Sequence, residues 1–237
     1  MIKGFFATIN DFPMKKSILI LILVICFGAC KKVRTLPCPD CFFFYFENPQ
    51  PDDDSELDHF PHKYRGLYRN NDSTFIRIEE DRIIAKYFGK YKMDKIEFDS
   101  IKQDFKIEGN LVTEKNSEKK MYIHTKGDSI EFTEPYIDTI FRLSYYQKLK
   151  RIDGQLVLSI KDSIFWKTQF FSLKNKTLKI KEIYLPDDLK KLDSVTVVKA
   201  EKIDSMSYLI KPTRSEFKKI LKIKKLGFDQ EYKRISK

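Results

Sequence analysis

The chain has 237 residues, with 45 Lys or Arg against 34 Asp or Glu, a net charge of +11 at neutral pH, eight glycines and three histidines. So little glycine leaves no phosphate-cradling loop, and any Ser–His chemistry would have to use His59, His62 or His124. The length is enough for one ordinary domain with a real core once a leader and a lead-in are set aside.

The first element is apolar. Lys15 and Lys16 precede a run in which residues 18–27 are all apolar, followed by Gly28, Ala29, Cys30, Lys31 and Lys32. A bilayer core needs about 20 apolar residues, so this run is too short to span one. It matches the h-region of a secretory signal, with a basic stretch before it and small residues at the cut. A small-small-Cys ending resembles the lipobox of bacterial lipoproteins, which implies that Cys30 is acylated and becomes the first residue after processing. Phe27 departs from that pattern, whose commonest form has Leu there. Met14-Lys15-Lys16 is itself a proper signal beginning, so residues before Met14 read as upstream of the working start. The expected division is a signal peptide over 1–29, a tether over 30–60 and a single β-rich domain over 61–237.

The tether reading rests on Pro37, Pro39, Pro49 and Pro51, which break regular structure, and on the acidic run Asp52-Asp53-Asp54-Ser55-Glu56. Within it, Phe42-Phe43-Phe44-Tyr45-Phe46 is too apolar for water and is expected to pair as a strand or pack on the domain. Cys38 and Cys41 frame a Cys-Pro-Asp-Cys segment. An oxidising compartment favours a local disulfide between them. A redox site of thioredoxin type would need a preceding strand and a following helix, and neither pattern is present.

From His62 onward apolar and polar residues alternate, as in Phe75-Ile76-Arg77-Ile78-Glu79, Met121-Tyr122-Ile123-His124-Thr125 and Leu178-Lys179-Ile180-Lys181-Glu182-Ile183. The same period marks Ser129-Ile130-Glu131-Phe132, Leu156-Val157-Leu158-Ser159-Ile160 and Val195-Thr196-Val197-Val198. Asp-Ser pairs at Asp72, Asp99, Asp128, Asp162, Asp193 and Asp204 punctuate these segments, and both residue types hydrogen-bond their own backbone in turns. Gly66, Gly89, Gly109, Gly127 and Gly154 are expected at hairpins or bulges. The pattern predicts a mainly β fold, an antiparallel meander forming a barrel or a two-layer sandwich.

Two helices interrupt it. Pro186-Asp187-Asp188-Leu189-Lys190-Lys191-Leu192 carries acids at its start. A C-terminal helix over about 213–226 opens with a Thr213/Glu216 capping box and closes before Gly227. Phe217, Ile220 and Leu221 form its apolar face, for docking on the sheet, and its lysines face water. The segment 228–235 is expected to return as a final strand.

Chemistry is sparse. Cys38, Cys41, His59 and His62 offer four zinc-type ligands, but the closing His-x2-His is shorter than the usual three-to-five spacing, and no metal is expected. The acidic run at 52–58 reads as hydrated rather than as a calcium loop. No catalytic residue and no cofactor are predicted. Aromatics alternating along strands read chiefly as core. Trp166 is singled out as a candidate ligand-pocket residue, because both faces of its segment are apolar.

The lipobox-like start, the Asp/Pro-rich lead-in, Asp72-Ser73-Thr74-Phe75-Ile76 and Thr213-Arg214-Ser215-Glu216-Phe217-Lys218-Lys219 together resemble uncharacterised envelope lipoproteins of Bacteroidetes type. The resemblance implies no assigned activity. It implies a bilayer partner through acylated Cys30, an envelope protein as further partner and no nucleic acid. In that group, surface export goes with an acidic stretch after the lipidated cysteine. Lys31, Lys32 and Arg34 stand there instead, which implies the outer membrane facing the periplasm. The expected function is non-enzymatic, through protein contacts; the alternative is a lipocalin-like carrier of a small apolar ligand.

Overall fold

A computed structural model describes residues 41–236; Cys30, Cys38 and the predicted signal peptide lie outside them. Among the described residues, those before residue 61 already pair with the body, since β1 is bonded to β11 and β14. Among the described residues fifteen strands join one sheet that does not close on itself, a mainly β, two-layer sandwich-like arrangement.

In chain order the sheet opens with β1 (Phe43–Phe46), β2 (Gly66–Arg69) and β3 (Phe75–Ile78), followed by the long β4 (Arg82–Asp94). Helix α1 (Lys95–Ile101) and a short 3-10 turn lead to β5 (Phe105–Glu108), β6 (Leu111–Glu114), β7 (Lys120–Lys126) and the long β8 (Ser129–Arg142). Then come β9 (Gln147–Ile152), β10 (Gln155–Asp162), β11 (Phe165–Lys174) and β12 (Thr177–Glu182). The chain ends with α2 (Pro186–Asp193), β13 (Glu201–Lys202), β14 (Ser207–Ile210), α3 (Arg214–Lys222) and β15 (Phe228–Ser236). Most neighbours in the sheet are antiparallel, and β1 beside β14 is parallel.

Turn chemistry sets the hairpins. Asp153-Gly154 between β9 and β10, and Asn175-Lys176 between β11 and β12, have positive φ at both residues, the turn whose twist suits a two-residue hairpin. Of the Asp-Ser pairs, those at Asp72, Asp128 and Asp162 lie between paired strands. Asp99 is instead inside α1, a helix that the sequence reading missed, and Asp193 closes α2. The strand expected at 195–198 is not formed. Val195 and Thr196 donate back to Leu192 O, which extends the end of α2 as a turn.

The core has three parts. The first gathers Tyr68, Ile76, Ile83, Phe141, Leu149, Leu156, Leu158, Phe171, Leu178 and Tyr232 on the inner face of the curled sheet. The second lies on the opposite face of β10 and β11, where Val157, Trp166 and Phe170 meet Phe44, Phe46, Leu192, Phe217 and Ile220. The third, around Phe98, Val112, Met121, Ile130 and Phe132, belongs to the α1 and β5–β8 end.

Helix α3 begins as predicted. Thr213 Oγ1 accepts the Glu216 N–H, and Glu216 Oε2 accepts the Thr213 N–H at 2.8 Å. Hydrogen bonds from the Val197 and Thr213 backbone hold the Glu216 carboxyl below its ordinary value. The helix stops at Lys222, short of the expected 226. Gly227 therefore does not cap it. Its φ of +64° and a backbone approach in which any Cβ would collide with Glu182 O make glycine necessary there. Asp188 of α2 ties the same corner, accepting from Leu185 N–H, Gly227 N–H and the Lys191 ammonium at 2.9–3.0 Å.

The expected tether over 30–60 is corrected for its described part, residues 41–60. Strand β1 is part of the sheet, and residues 47–60 form a strap across β9 into the first core. Leu57 N–H donates to Leu149 O at 2.7 Å, Phe60 N–H to Glu80 O at 2.8 Å, and the buried Lys150 ammonium to the Pro49 and Pro51 carbonyls at 3.0 and 2.8 Å. The acidic run is not simply hydrated either. Asp54 makes a two-point ion pair with Arg214, which lowers its pKa, and Glu56 pairs with Lys148 at 2.7 Å. Fully buried Phe60 packs edge-on against Phe141 at 5.7 Å. Phe60→Ala is therefore expected to cost about 3–5 kcal/mol in urea unfolding, the usual range for an emptied aromatic core site. A free tether would give no change.

Candidate functional site

The residues singled out from sequence do not converge. Cys41 is buried and disulfide-bonded, and every other cysteine lies outside the described residues. Trp166 is 8 % exposed and packed in the second core, opposite Phe46 in register, with the Lys161 ammonium 5.7 Å from its ring centre. Both faces of its strand are apolar because both are covered. His59 is exposed on the strap, His62 is exposed in the turn that follows it, and His124 lies on β7. Among the described residues no cluster of His, Cys, Asp and Glu could hold a metal ion, and no helix is long and apolar enough to cross a membrane.

The feature that stands out is the ribbon made by β4 and β8, paired in register from Arg82–Arg142 to Asp94–Ser129 with one bulge. On one flank β3 accompanies β4 only as far as Lys86, and on the other β7 accompanies β8 only over Ser129 to Thr133. The ribbon's middle is thus two strands wide, between the first and third cores. Its two faces differ in chemistry.

The face that continues the core line carries Tyr87, Gly89 and Tyr91 on β4, opposite Tyr136, Glu134 and Phe132 on β8. Tyr87 stacks on Tyr136 at 5.3 Å, and Tyr91 lies flat on Phe132 at 4.8 Å. Glu134 is buried beneath them, accepting from Tyr136 Oη at 2.5 Å and paired with Lys119 at 2.8 Å. Burial alone would raise the Glu134 carboxyl. The hydrogen bonds from Lys119 and Tyr136 outweigh it and hold the group below its ordinary value. Tyr87 Oη donates to Asp138 at 2.7 Å, which raises the phenol's pKa. Each hydroxyl of the strip is already engaged, so this face reads as a self-satisfied brace.

Gly89 explains why the rings lie flat. It lies mid-strand, away from the one bulge of the ribbon, and not at the hairpin or bulge expected for it. A Cβ there would stand 2.8 Å from Tyr136 Cε2. The ring covers the backbone that the missing side chain leaves bare, a cross-strand device known for sheet glycines.

The opposite face, across β2, β3, β4 and β8, bears an open groove of about 420 Å³ lined by Leu67, Phe75, Arg77, Glu79, Ile84, Lys86 and Ile137. Leu67, Phe75 and Ile84 are half-buried, and Ile137 is 68 % exposed. Arg77 has no carboxylate partner among the described residues. Lys86 stands over the Phe88 ring at 5.5 Å and has no carboxylate partner among the described residues, while Glu79 is paired with Arg82. Alternation placed these residues on a strand face, but only the register brings strands distant in sequence together as a groove.

No protein-family model, curated protein or solved structure matches the chain.

Two outcomes follow from the ribbon. In the wild type, Gly89→Ala is expected to lower stability in urea unfolding, because Tyr136 must leave its seat. In a Tyr136→Ala background it should be neutral or stabilising, since alanine suits a strand better than glycine by about 0.5–1 kcal/mol. For Glu134 the folded-state pKa lies below the unfolded value near 4.5. Its contribution is therefore complete above pH 4.5 and lost as pH falls through the lower folded value. Glu134→Gln should flatten that acid limb when unfolding is followed by circular dichroism across pH; an unchanged limb would contradict the pairing.

Proposed function

We propose that this protein is a non-enzymatic envelope lipoprotein, held to a bilayer by acylated Cys30 and working through contact with another protein. The observation that favours contact over carriage is where the unfilled apolar surface lies. The inner space of the curled sheet is occupied by Phe60, Tyr64, Tyr68, Phe141 and Phe171, all essentially inaccessible to solvent. A lipocalin-like carrier needs that space for its ligand. Among the described residues apolar surface is left open instead on the outside, where the groove around Ile137 lies. Macromolecular partners use such apolar patches with a polar rim.

The anchor reading draws on the lipobox-like residues 15–32, and the fold adds a distance to it. With the described body beginning at Cys41, ten residues separate it from Cys30, so a fully extended linker reaches about 40 Å at most. The domain would stay close to the bilayer surface, on the periplasmic side of the outer membrane. Lys31, Lys32 and Arg34 in that linker suit anionic headgroups.

The decisive test is Cys30→Ala in the native host. The expected outcome is loss of palmitate labelling, unprocessed precursor and failure to partition into detergent, with the β circular dichroism spectrum unchanged. Unaltered labelling and partitioning would overturn the anchor.

A further inference from the structure

We propose that the outer groove and the free edge of β8 beside it form one docking site for an extended, acidic-apolar segment of a partner protein, added to the sheet as a strand. The inference rests on the protein-contact reading above, not on the anchor.

The edge follows from backbone parity. Lys126 and Ser129 close a two-residue hairpin between β7 and β8, so the backbone groups of Ser129, Glu131 and Thr133 turn toward β7. By strand alternation those of Pro135, Ile137 and Thr139 turn to the same side, where no strand pairs among the described residues. Pro135 agrees with this parity, since a proline facing β4 would remove a bond from a continuous ladder. Ile137 and Thr139 therefore offer amide donors and carbonyl acceptors to a newcomer. Residues 136–140 are all exposed, which is unusual for five consecutive residues of a strand. Pro135 blocks the edge at one end and so limits how far an added strand can run.

The groove supplies the selectivity. The groove runs inward from that edge: Ile137 of β8 lies next to it, Ile84 and Lys86 of β4 one strand further, Phe75 and Arg77 of β3 two, and Leu67 of β2 three, at about 4.8 Å per strand. Arg77 and Lys86 have no carboxylate partners among the described residues, and their long side chains span part of the distance back to an added strand. Cations without counter-ions on an apolar strip fit a chain that alternates or mixes carboxylates with aliphatic side chains. Strand addition takes its affinity from backbone bonds and its specificity from such side-chain sites. A lipid surface could satisfy the charges and the apolar floor but would make no use of the edge.

The test uses the full chain in detergent with four probes: acetyl-(Glu-Val)4-amide, its Lys-Val counterpart, an N-methylated Glu-Val copy, and phosphatidylglycerol vesicles. Binding of the Glu-Val peptide is expected, at least tenfold weaker for Arg77→Glu or Ile137→Asp and for the N-methylated copy, with amide exchange slowed at Ile137 and Thr139. Both variants are at exposed positions, and an unchanged circular dichroism spectrum shows that they fold. Equal binding of the N-methylated or Lys-Val peptide, binding of vesicles but not peptide, or no peptide binding at millimolar concentration would each overturn the proposal. Crosslinking in whole envelopes separates the two readings. Partners that persist with Arg77→Glu and Ile137→Asp would remove this docking site and leave the protein-contact reading standing. A protein that crosslinks to nothing would remove that reading too.

Discussion

The architecture depends on two neighbouring strands that are apolar on both sides. In β10 and β11, Leu156, Leu158 and Phe171 point one way while Val157, Trp166 and Phe170 point the other. Burying one such side chain contributes about 1.5–3 kcal/mol, against a total domain stability of about 5–15 kcal/mol, so neither face can stay wet. The rest of the sheet curls over the first face. The second is covered by α2, α3, β1 and β14, which is the packing role of those two helices in a chain so committed to strands. The end built from α1 and β5–β8 has its own small core and meets the rest through the β4–β8 ribbon.

Local signals carried the elements well. Period-two alternation marks β3, β7 and β12, and the Thr213/Glu216 pair marks the start of α3, because each is decided by residues within a few positions. What stayed hidden depends on distant partners. Residues 47–60 look like a linker by composition. Their acids face Lys148, Lys150 and Arg214, about a hundred residues away or more, and these cations turn a hydrated run into a strap. The helix at 95–101 was missed because seven residues with one buried Phe98 hardly differ from a strand and a turn. Val195 and its neighbours had the composition of a strand but lie in the turn off α2, where Leu192 O takes their amides.

The candidate site was less legible than the fold. Single residues suggest nothing there: Arg77, Ile84 and Ile137 are ordinary strand residues. Their meaning comes from the pairing of β3 with β4 and of β4 with β8, and from β7 ending where it does. Two other margins of the sheet are handled differently. β13 is only two residues long, and β9 is bonded by the strap through Leu57.

The order in which the parts reach one another has a cost of its own. Strand β1 is the first of the described strands to be synthesised, yet its neighbours are Trp166 of β11 and, in parallel, Ser207 to Ile210 of β14. Five consecutive aromatic residues, Phe42 to Phe46, must therefore wait, unpaired and sticky, until most of the chain has arrived. Such distant pairing slows folding, and a short uncharged aromatic stretch is prone to self-association while it waits. The first strand made is thus among the last to find its neighbours, and its exposure lasts as long as β11 and β14 take to follow.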